Sequence, residues 1–98
     1  AFEAALRADP ANANALSALG RFHYVAPLIL GGNPNEAVVL LEKSKAVDPY
    51  FYLNHAYLIR ALRKTGQLDK AKVEATYYRA KFQGLPAAER ELAAALAP

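Results

Sequence analysis

Apolar residues recur at steps of three and four along most of this chain, which is the spacing that one face of an α-helix requires. Leu16, Leu19 and Phe22 form one such stripe, and Leu58 and Leu62 belong to another. No stretch of useful length alternates as a β-strand does. The pattern therefore predicts an all-α chain of about six helices, at residues 2–8, from about 12 towards 27, 34–47, 51–64, 68–82 and 86–96.

Prolines and glycines divide these helices. Pro10 and Pro49 each follow an Asp, and a helix should end there because proline disfavours the helical conformation of the preceding residue. Pro27 predicts a kink or an early stop of the second helix, since a proline inside a helix removes a hydrogen bond. The pair Gly31-Gly32 forces a turn. Asn33, followed by a proline, predicts the capped start of the third helix.

The two Asp-Pro joints belong to a repeated pattern. Phe2 lies eight residues before Pro10, and Leu41 lies eight residues before Pro49. A recurrence on this scale indicates a stack of similar helical units rather than one irregular globule.

Two stretches of the chain carry large, small and turn residues in the same order. The first contains Leu16, Leu19, Gly20, His23, Ala37, Leu41 and Pro49, and the second contains His55, Leu58, Ile59, Leu62, Gly66, Ala71 and Ala75. This pattern resembles the tetratricopeptide repeat (TPR), a helix-turn-helix unit of about 34 residues. The resemblance covers about residues 2 to 83. It implies antiparallel helix pairs stacked as a right-handed superhelix.

The resemblance also implies a division of one domain, residues 1–98. Residues 1–10 correspond to the second helix of a truncated unit, 11–49 to a unit with a five-residue insertion, 50–83 to a second unit and 85–97 to a capping helix. Because the chain begins inside a predicted helix, we expect a fragment of a longer protein. The insertion follows from the spacing of 39 residues from Pro10 to Pro49, against a repeat of about 34 in the family.

The stretch from Pro27 to Gly32, followed by Ala37 and Leu41, is also similar to a TPR variant of bacterial cell-envelope proteins. Those proteins include helical components associated with some substrate-binding-protein-dependent transporters. This similarity implies, as an alternative, an accessory domain of a transporter or envelope complex.

In the TPR family, the first helices of the units line a concave groove that accepts peptides. The resemblance places a mildly basic groove here, formed by Asn14, Ser17, Arg21, Tyr24, Val25, Leu53, Ala56, Arg60, Arg63 and Lys64. Arg21 and Arg60 occupy equivalent positions, so stacking would align two guanidinium groups suited to a carboxylate. The alternative is that these charges form a solvated face. Some TPR domains clamp a C-terminal carboxylate with Lys and Asn side chains, and Ser17 and Leu53 stand at such positions here, so the resemblance does not imply that activity.

The insertion around residues 26–33 contains Leu28, Ile29 and Leu30 in succession. Insertions in repeat proteins tend to map to one face, often the binding face. These side chains either fold back to pack on the neighbouring unit or form a partner-docking patch. The tyrosines at 50, 52, 77 and 78 have two similar interpretations, as interface residues or as packing between helices.

Composition limits the classes of function. The chain has 98 residues, 54% of them hydrophobic, and a net charge of +3, which fits a folded domain with a mild preference for acidic partners. Its Lys and Arg residues are spread over several helices, so a nucleic-acid binder is not expected. No apolar run is long enough to span a membrane. The absence of cysteine excludes disulfides but assigns no compartment.

Catalytic and metal-binding patterns are missing from the sequence. His23 and His55 lie on apolar stripes, where a hydrogen-bonded core histidine is the expected role. Pro27 and Ile59 occupy the positions four residues after them, so neither has a second ligand at that spacing. The carboxylates form no recognisable acid/base pair. We therefore expect no enzyme activity, no cofactor and no metal.

Two functional hypotheses follow. The first is a non-catalytic protein–protein interaction module, or scaffold, that binds a peptide or protein segment in the basic groove, to which an acidic segment would be complementary. The second is a structural or self-associating segment of a longer TPR array.

Overall fold

The structure is a computed structural model that describes residues 2–98, with side chains from residue 4 onward. Six α-helices make up most of this range, and no β-strand occurs within it. The helices are α1 (Phe2–Ala8), α2 (Ala13–Val25), α3 (Pro34–Val47), α4 (Tyr52–Lys64), α5 (Leu68–Lys81) and α6 (Pro86–Leu96), with a 3-10 turn at Leu28–Leu30. The predicted all-α class and the number of helices are confirmed. The side chain of Phe2, a member of the predicted apolar stripe of α1, lies outside the described residues.

Asparagine side chains begin two of the helices. Asn12 Oδ1 accepts a hydrogen bond from the amide of Ala15 at 3.0 Å. Asn33 Oδ1 accepts from the amides of Asn35 and Glu36, at 3.1 and 3.2 Å. Each cap satisfies backbone donors that the first helical turn leaves unpaired, and such a cap contributes about 1 kcal/mol. The predicted role of Asn33 is confirmed.

The two Asp-Pro joints share one local geometry. At the first, Asp9 Oδ1 accepts from the amide of Ala11 at 3.1 Å, and at the second, Asp48 Oδ1 accepts from the amide of Tyr50 at 3.0 Å. The carboxylate thus closes an Asx turn around each proline. Helices α1 and α3 end directly before these joints, as predicted. Helix α2 ends two residues before Pro27, so that proline stops the helix early rather than kinking it.

The core lies among α3, α4, α5 and α6. Its largest fully buried apolar side chains are those of Leu41, Leu58, Ile59, Leu62 and Tyr78. Burying one such aliphatic side chain contributes roughly 1.5–3 kcal/mol. Helix α2 comes close to α3 at Gly20, where a Cβ atom would lie 2.8 Å from Leu41 Cγ.

Consecutive helices pack against one another from α1 to α5, and α6 packs mainly along α4 with a lighter contact to α5. The C-terminal ends of α2 and α4 thereby come together beside α6. Within residues 2–98, no helix combines the length and hydropathy needed to cross a bilayer.

Candidate functional site

The structure gathers four of the predicted groove residues around one hollow of about 570 Å³. Tyr24 comes from the end of α2, and Arg60, Arg63 and Lys64 come from the last turns of α4. Leu68 and the C-terminal end of α6 complete the lining, which contains no Asp or Glu. We call this feature the basic hollow. Three cationic side chains and no anionic side chain give the lining of the basic hollow a positive charge.

Arg63 is held in place by the end of α6. Its Nη1 donates to the carbonyl oxygens of Ala95 and Ala97, the second at 3.0 Å. The last carbonyls of a helix have no partner within the helix, and a nearby cation also interacts favourably with the helix dipole. Arg63 therefore fixes α6 against α4 as well as contributing charge to the hollow.

Arg60 and Lys64 stand beside aromatic rings. The Arg60 guanidinium carbon lies 4.7 Å from the ring centroid of Tyr57, and its Nη2 is 3.5 Å from Oε1 of Glu91 on α6. Lys64 Nζ lies 5.0 Å from the Tyr24 ring centroid and donates a long hydrogen bond, 3.4 Å, to the Tyr24 carbonyl. Among the described residues, no carboxylate comes within ion-pair distance of Lys64. Lys64 is thus the cation of the hollow with most capacity for an external anion.

Arg21 lies in a different hollow, of about 430 Å³, together with Asn14 and Phe51. Its Nε donates to the carbonyl of Ser17 at 3.3 Å, and its guanidinium carbon is 5.8 Å from the Phe51 ring centroid. Arg21 and Arg60 therefore do not line one common hollow. Arg21 hydrogen-bonds to its own helix, whereas Arg60 pairs with Glu91 of α6.

The other predicted groove positions are not equally accessible. Ser17 and Ala56 are fully buried, and Leu53 is half-buried. Their helix faces are covered because α2 and α4 pack against each other and against neighbouring helices. In this arrangement Ser17 and Ala56 support the surface from beneath. Val25, in contrast, is exposed.

The inserted loop presents the most exposed apolar side chains near the end of α2. Leu28 is 77% exposed, Ile29 91% and Leu30 69%. The sequence predicted that these side chains either pack on the neighbouring unit or form a partner-docking patch. The structure does not show the packing. The 3-10 turn is nevertheless well defined by hydrogen bonds, because the amides of Leu30 and Gly32 both donate to Pro27 O at 3.0 Å.

Gly32 is required by a close backbone approach. A Cβ atom at this position would lie 1.8 Å from the carbonyl oxygen of Ala26. The next amide, that of Asn33, donates to His23 O at 3.0 Å and returns the chain to α2. The loop thus holds its three aliphatic side chains outward on an ordered backbone.

A buried ionic cluster joins α3, α4 and α5. Glu74 Oε2 lies 2.6 Å from His55 Nδ1, and Glu74 Oε1 lies 2.6 Å from Lys45 Nζ. His55 Nε2 lies 2.8 Å from the carbonyl oxygen of Pro49. Both ring nitrogens face acceptors, so both contacts are hydrogen bonds only if the ring carries two protons. The prediction of a hydrogen-bonded core histidine is confirmed for His55.

Glu74 remains ionised within this cluster. Burial alone raises the pKa of its carboxyl, but hydrogen bonds and charges from His55 and Lys45 outweigh burial and hold that pKa below its ordinary value of 4.5. With side chains 0% and 7% exposed, His55 and Glu74 form a buried pair that joins α4 to α5. The sequence analysis did not single out Glu74. Its position at helical spacing between Ala71 and Tyr78, which were predicted to face inward, could have indicated a buried carboxylate.

His23 and the tyrosines take mixed roles. His23 is half-buried, and its Nδ1 has no hydrogen-bond partner among the described residues, so the predicted role of a hydrogen-bonded core histidine is wrong for His23. Tyr78 is buried and donates to Ala88 O at 2.6 Å, and burial raises its pKa to about 12. Tyr50 is exposed, with Lys81 Nζ 4.1 Å from its ring centroid. Packing is therefore the role of Tyr78, whereas Tyr50 remains available at the surface.

In comparisons with known proteins, no family model, curated protein or solved structure matches this chain. Within the described residues, His, Asp and Glu side chains form no group of three that could hold a metal ion.

Proposed function

We propose that this chain is a non-catalytic interaction module that binds an acidic segment of a partner protein in the basic hollow. The observation that carries the proposal is the convergence of Arg60, Arg63 and Lys64 on a hollow lined by no Asp or Glu side chain. Tyr24 adds an aromatic face, and tyrosine and arginine are enriched among residues that dominate binding energy. An acidic segment would supply the missing negative charge.

The proposal includes a TPR-like arrangement of the helices. Support comes from the sequential packing of α1 to α5 and from the shared Asx-turn geometry at Asp9 and Asp48. In a right-handed superhelix of such pairs, α2 and α4 are the inner helices of successive units, and both contribute to the hollow. A groove of this type binds partners and carries out no chemistry.

Lys64 is the residue we expect to contact the partner most directly. Arg63 donates to a carbonyl at the end of α6, and Arg60 pairs with Glu91. Both side chains are therefore held in place, but each already has a partner within the protein. Lys64 is exposed and has the aromatic support of Tyr24. An ammonium group in this position gains a carboxylate partner without breaking an internal ion pair.

A peptide-library selection tests the proposal. Random peptides selected on the immobilised domain should be enriched in Asp and Glu, and Lys64→Glu should weaken their binding about tenfold. The matched control is Lys43→Glu, an exposed lysine of α3 that does not line the hollow. Selected peptides without acidic enrichment, or equal losses in both variants, would contradict the proposal.

A second candidate function is self-association within a larger helical array, favoured by the exposed Leu28–Leu30 turn. Aliphatic side chains held outward on an ordered loop are suited to a protein contact. Sedimentation analysis over a range of concentrations tests it. Association that Ile29→Asp abolishes supports the candidate, and a concentration-independent monomer mass rules it out.

A further inference from the structure

The turn at Leu28–Leu30 carries the two most exposed large apolar side chains of the described residues. Its three side chains are 77%, 91% and 69% exposed, and Val25, just before the turn, is 67% exposed. Residues 22–35 contain no Asp, Glu, Lys or Arg. The turn is therefore an uncharged apolar protrusion, and such patches mark contacts with a protein or a membrane.

The backbone geometry of the turn spreads its side chains apart. A 3-10 helix has three residues per turn, so consecutive side chains point about 120° apart around its axis. A flat protein surface laid against one side of the turn would leave at least one of the three side chains in water. A fluid hydrocarbon layer surrounds a protruding turn on every side. The arrangement therefore favours a membrane surface as the occupant.

The patch is small for a contact between two copies of this chain. A stable protein interface takes about 20–30 residues from each partner, whereas the patch consists of Val25 and the three residues of the turn. A bilayer sets no such requirement, because its attraction for a protein grows with the apolar area that enters it and with the charge beside that area.

The backbone of the turn is suited to a medium with little water. The amides of Leu30 and Gly32 donate to Pro27 O, each at 3.0 Å. The amide of Gly31 donates to Leu28 O at 3.0 Å. Unpaired polar groups are costly to move out of water, so these internal hydrogen bonds lower the cost of placing the turn in a membrane interface.

Cationic side chains lie near the turn, at the end of α4. The Lys64 ammonium is exposed and lies 3.4 Å from the carbonyl oxygen of Tyr24, a residue that precedes Pro27 by three positions. Along the chain, the nearest carboxylate to the turn is that of Glu36, in the first turn of α3. Basic residues beside an apolar anchor are attracted to anionic lipid headgroups, and tyrosine is enriched at the membrane–water interface.

We propose that the Leu28–Leu30 turn inserts into the surface of a membrane that contains anionic phospholipids, with Lys64 toward the lipid headgroups. The aliphatic side chains would enter the boundary between headgroups and acyl chains, where peripheral anchors reach a depth of about 5–10 Å. The proposal does not rest on the binding of an acidic segment in the basic hollow.

Tryptophan fluorescence tests the insertion at a single position, because the chain contains no tryptophan. Ile29→Trp places a reporter on the turn, and Val73→Trp, at a 71% exposed position of α5, is the matched control. With vesicles of equal amounts of phosphatidylcholine and phosphatidylserine, the emission of Ile29→Trp should shift to shorter wavelength and that of Val73→Trp should not.

Three outcomes of this experiment would overturn the proposal. The first is no shift for Ile29→Trp with the vesicles, and the second is the same shift for Val73→Trp. The third is a shift of Ile29→Trp that appears without vesicles as the protein concentration rises, which would assign the turn to a contact with a second copy.

Co-sedimentation with the same vesicles measures the contribution of each side chain to the affinity. Ile29→Asp should weaken binding about tenfold, because the burial of one aliphatic side chain is lost, and Val73→Asp should change it less than twofold. Lys64→Gln should weaken binding about fivefold, as expected for one cation near an anionic surface. Equal losses in Ile29→Asp and Val73→Asp, or equal binding to vesicles of phosphatidylcholine alone, would refute the proposal. Circular dichroism confirms that each variant is folded.

Discussion

Replacing Glu74 by Gln removes the one negative charge of the buried cluster while keeping the side-chain shape. The carboxylate oxygens lie 2.6 Å from His55 Nδ1 and from Lys45 Nζ, so both side chains lose their partner when it is replaced. Gln offers one carbonyl oxygen and one amide donor, and the donor would face another donor. The side chain of Lys45 is 32% exposed and can turn to water, whereas His55 is fully buried and cannot. Most of the expected loss in the free energy of unfolding therefore comes from the broken contact with His55.

Breaking a buried ion pair on one side costs about 3–5 kcal/mol because it leaves an uncompensated charge. We expect the lower end, about 3 kcal/mol, because the partly exposed Lys45 ammonium stays solvated. A domain of this size has a total stability of roughly 5–15 kcal/mol, so the loss is a large share of it. At about 4–8 °C per kcal/mol, the melting temperature should fall by roughly 12–24 °C.

Urea unfolding followed by circular dichroism at constant pH measures the change in the free energy of unfolding. The control is Glu42→Gln, an exposed carboxylate on α3, which should change stability by no more than about 0.5 kcal/mol. A double-mutant cycle with His55→Gln should give a coupling energy of about 2 kcal/mol with Glu74→Gln. A loss below about 1 kcal/mol, or additive effects in the cycle, would refute the argument that this cluster holds α3, α4 and α5 together.

Three further predictions address pH, the loop backbone and the loop surface. The pKa of Glu74 is lower in the folded than in the unfolded chain, so Glu74 stabilises the fold in full above the unfolded pKa near 4.5. This stabilisation should be lost as pH falls through the folded pKa. Urea titrations at several pH values should show the loss, and Glu74→Gln should abolish it. Gly32→Ala should cost about 1–3 kcal/mol in thermal unfolding, because its Cβ would overlap the Ala26 carbonyl; an unchanged melting temperature would contradict the loop geometry. Ile29→Asp should leave stability within about 0.5 kcal/mol, since this side chain is 91% exposed, and a large loss would indicate that it packs.

Most helix boundaries are determined by residues that lie within a few positions of the helix end. Asn33 and the proline after it define the start of α3, and Asp48 with Pro49 defines its end, because caps and proline restrictions act within a few residues. Such features can be read from sequence without knowing the tertiary structure. The same holds for the stop of α2 before Pro27.

The candidate sites depended more on contacts between distant segments. Glu74 meets Lys45 and His55 across 29 and 19 residues, and no local pattern encodes that meeting. Arg60 was predicted as a groove cation, but its partner Glu91 lies on α6, whose packing on α4 could not be read from periodicity.

The loop shows a different limit of sequence reasoning. Leu28, Ile29 and Leu30 are consecutive, so they lack the periodicity that separates a buried face from an exposed one. Their exposure is decided by Gly32 and by the hydrogen bond from Asn33 to His23, which direct the loop away from the core.

The most direct test of the proposed function is a chemical-shift map of the ¹⁵N-labelled domain titrated with a selected acidic peptide. The account predicts that the perturbed amides cluster at Tyr24, Arg63 and Lys64, and that Lys64→Glu reduces the affinity about tenfold. Perturbations centred on the exposed face of α3 around Lys43, or an affinity unchanged in Lys64→Glu, would contradict it.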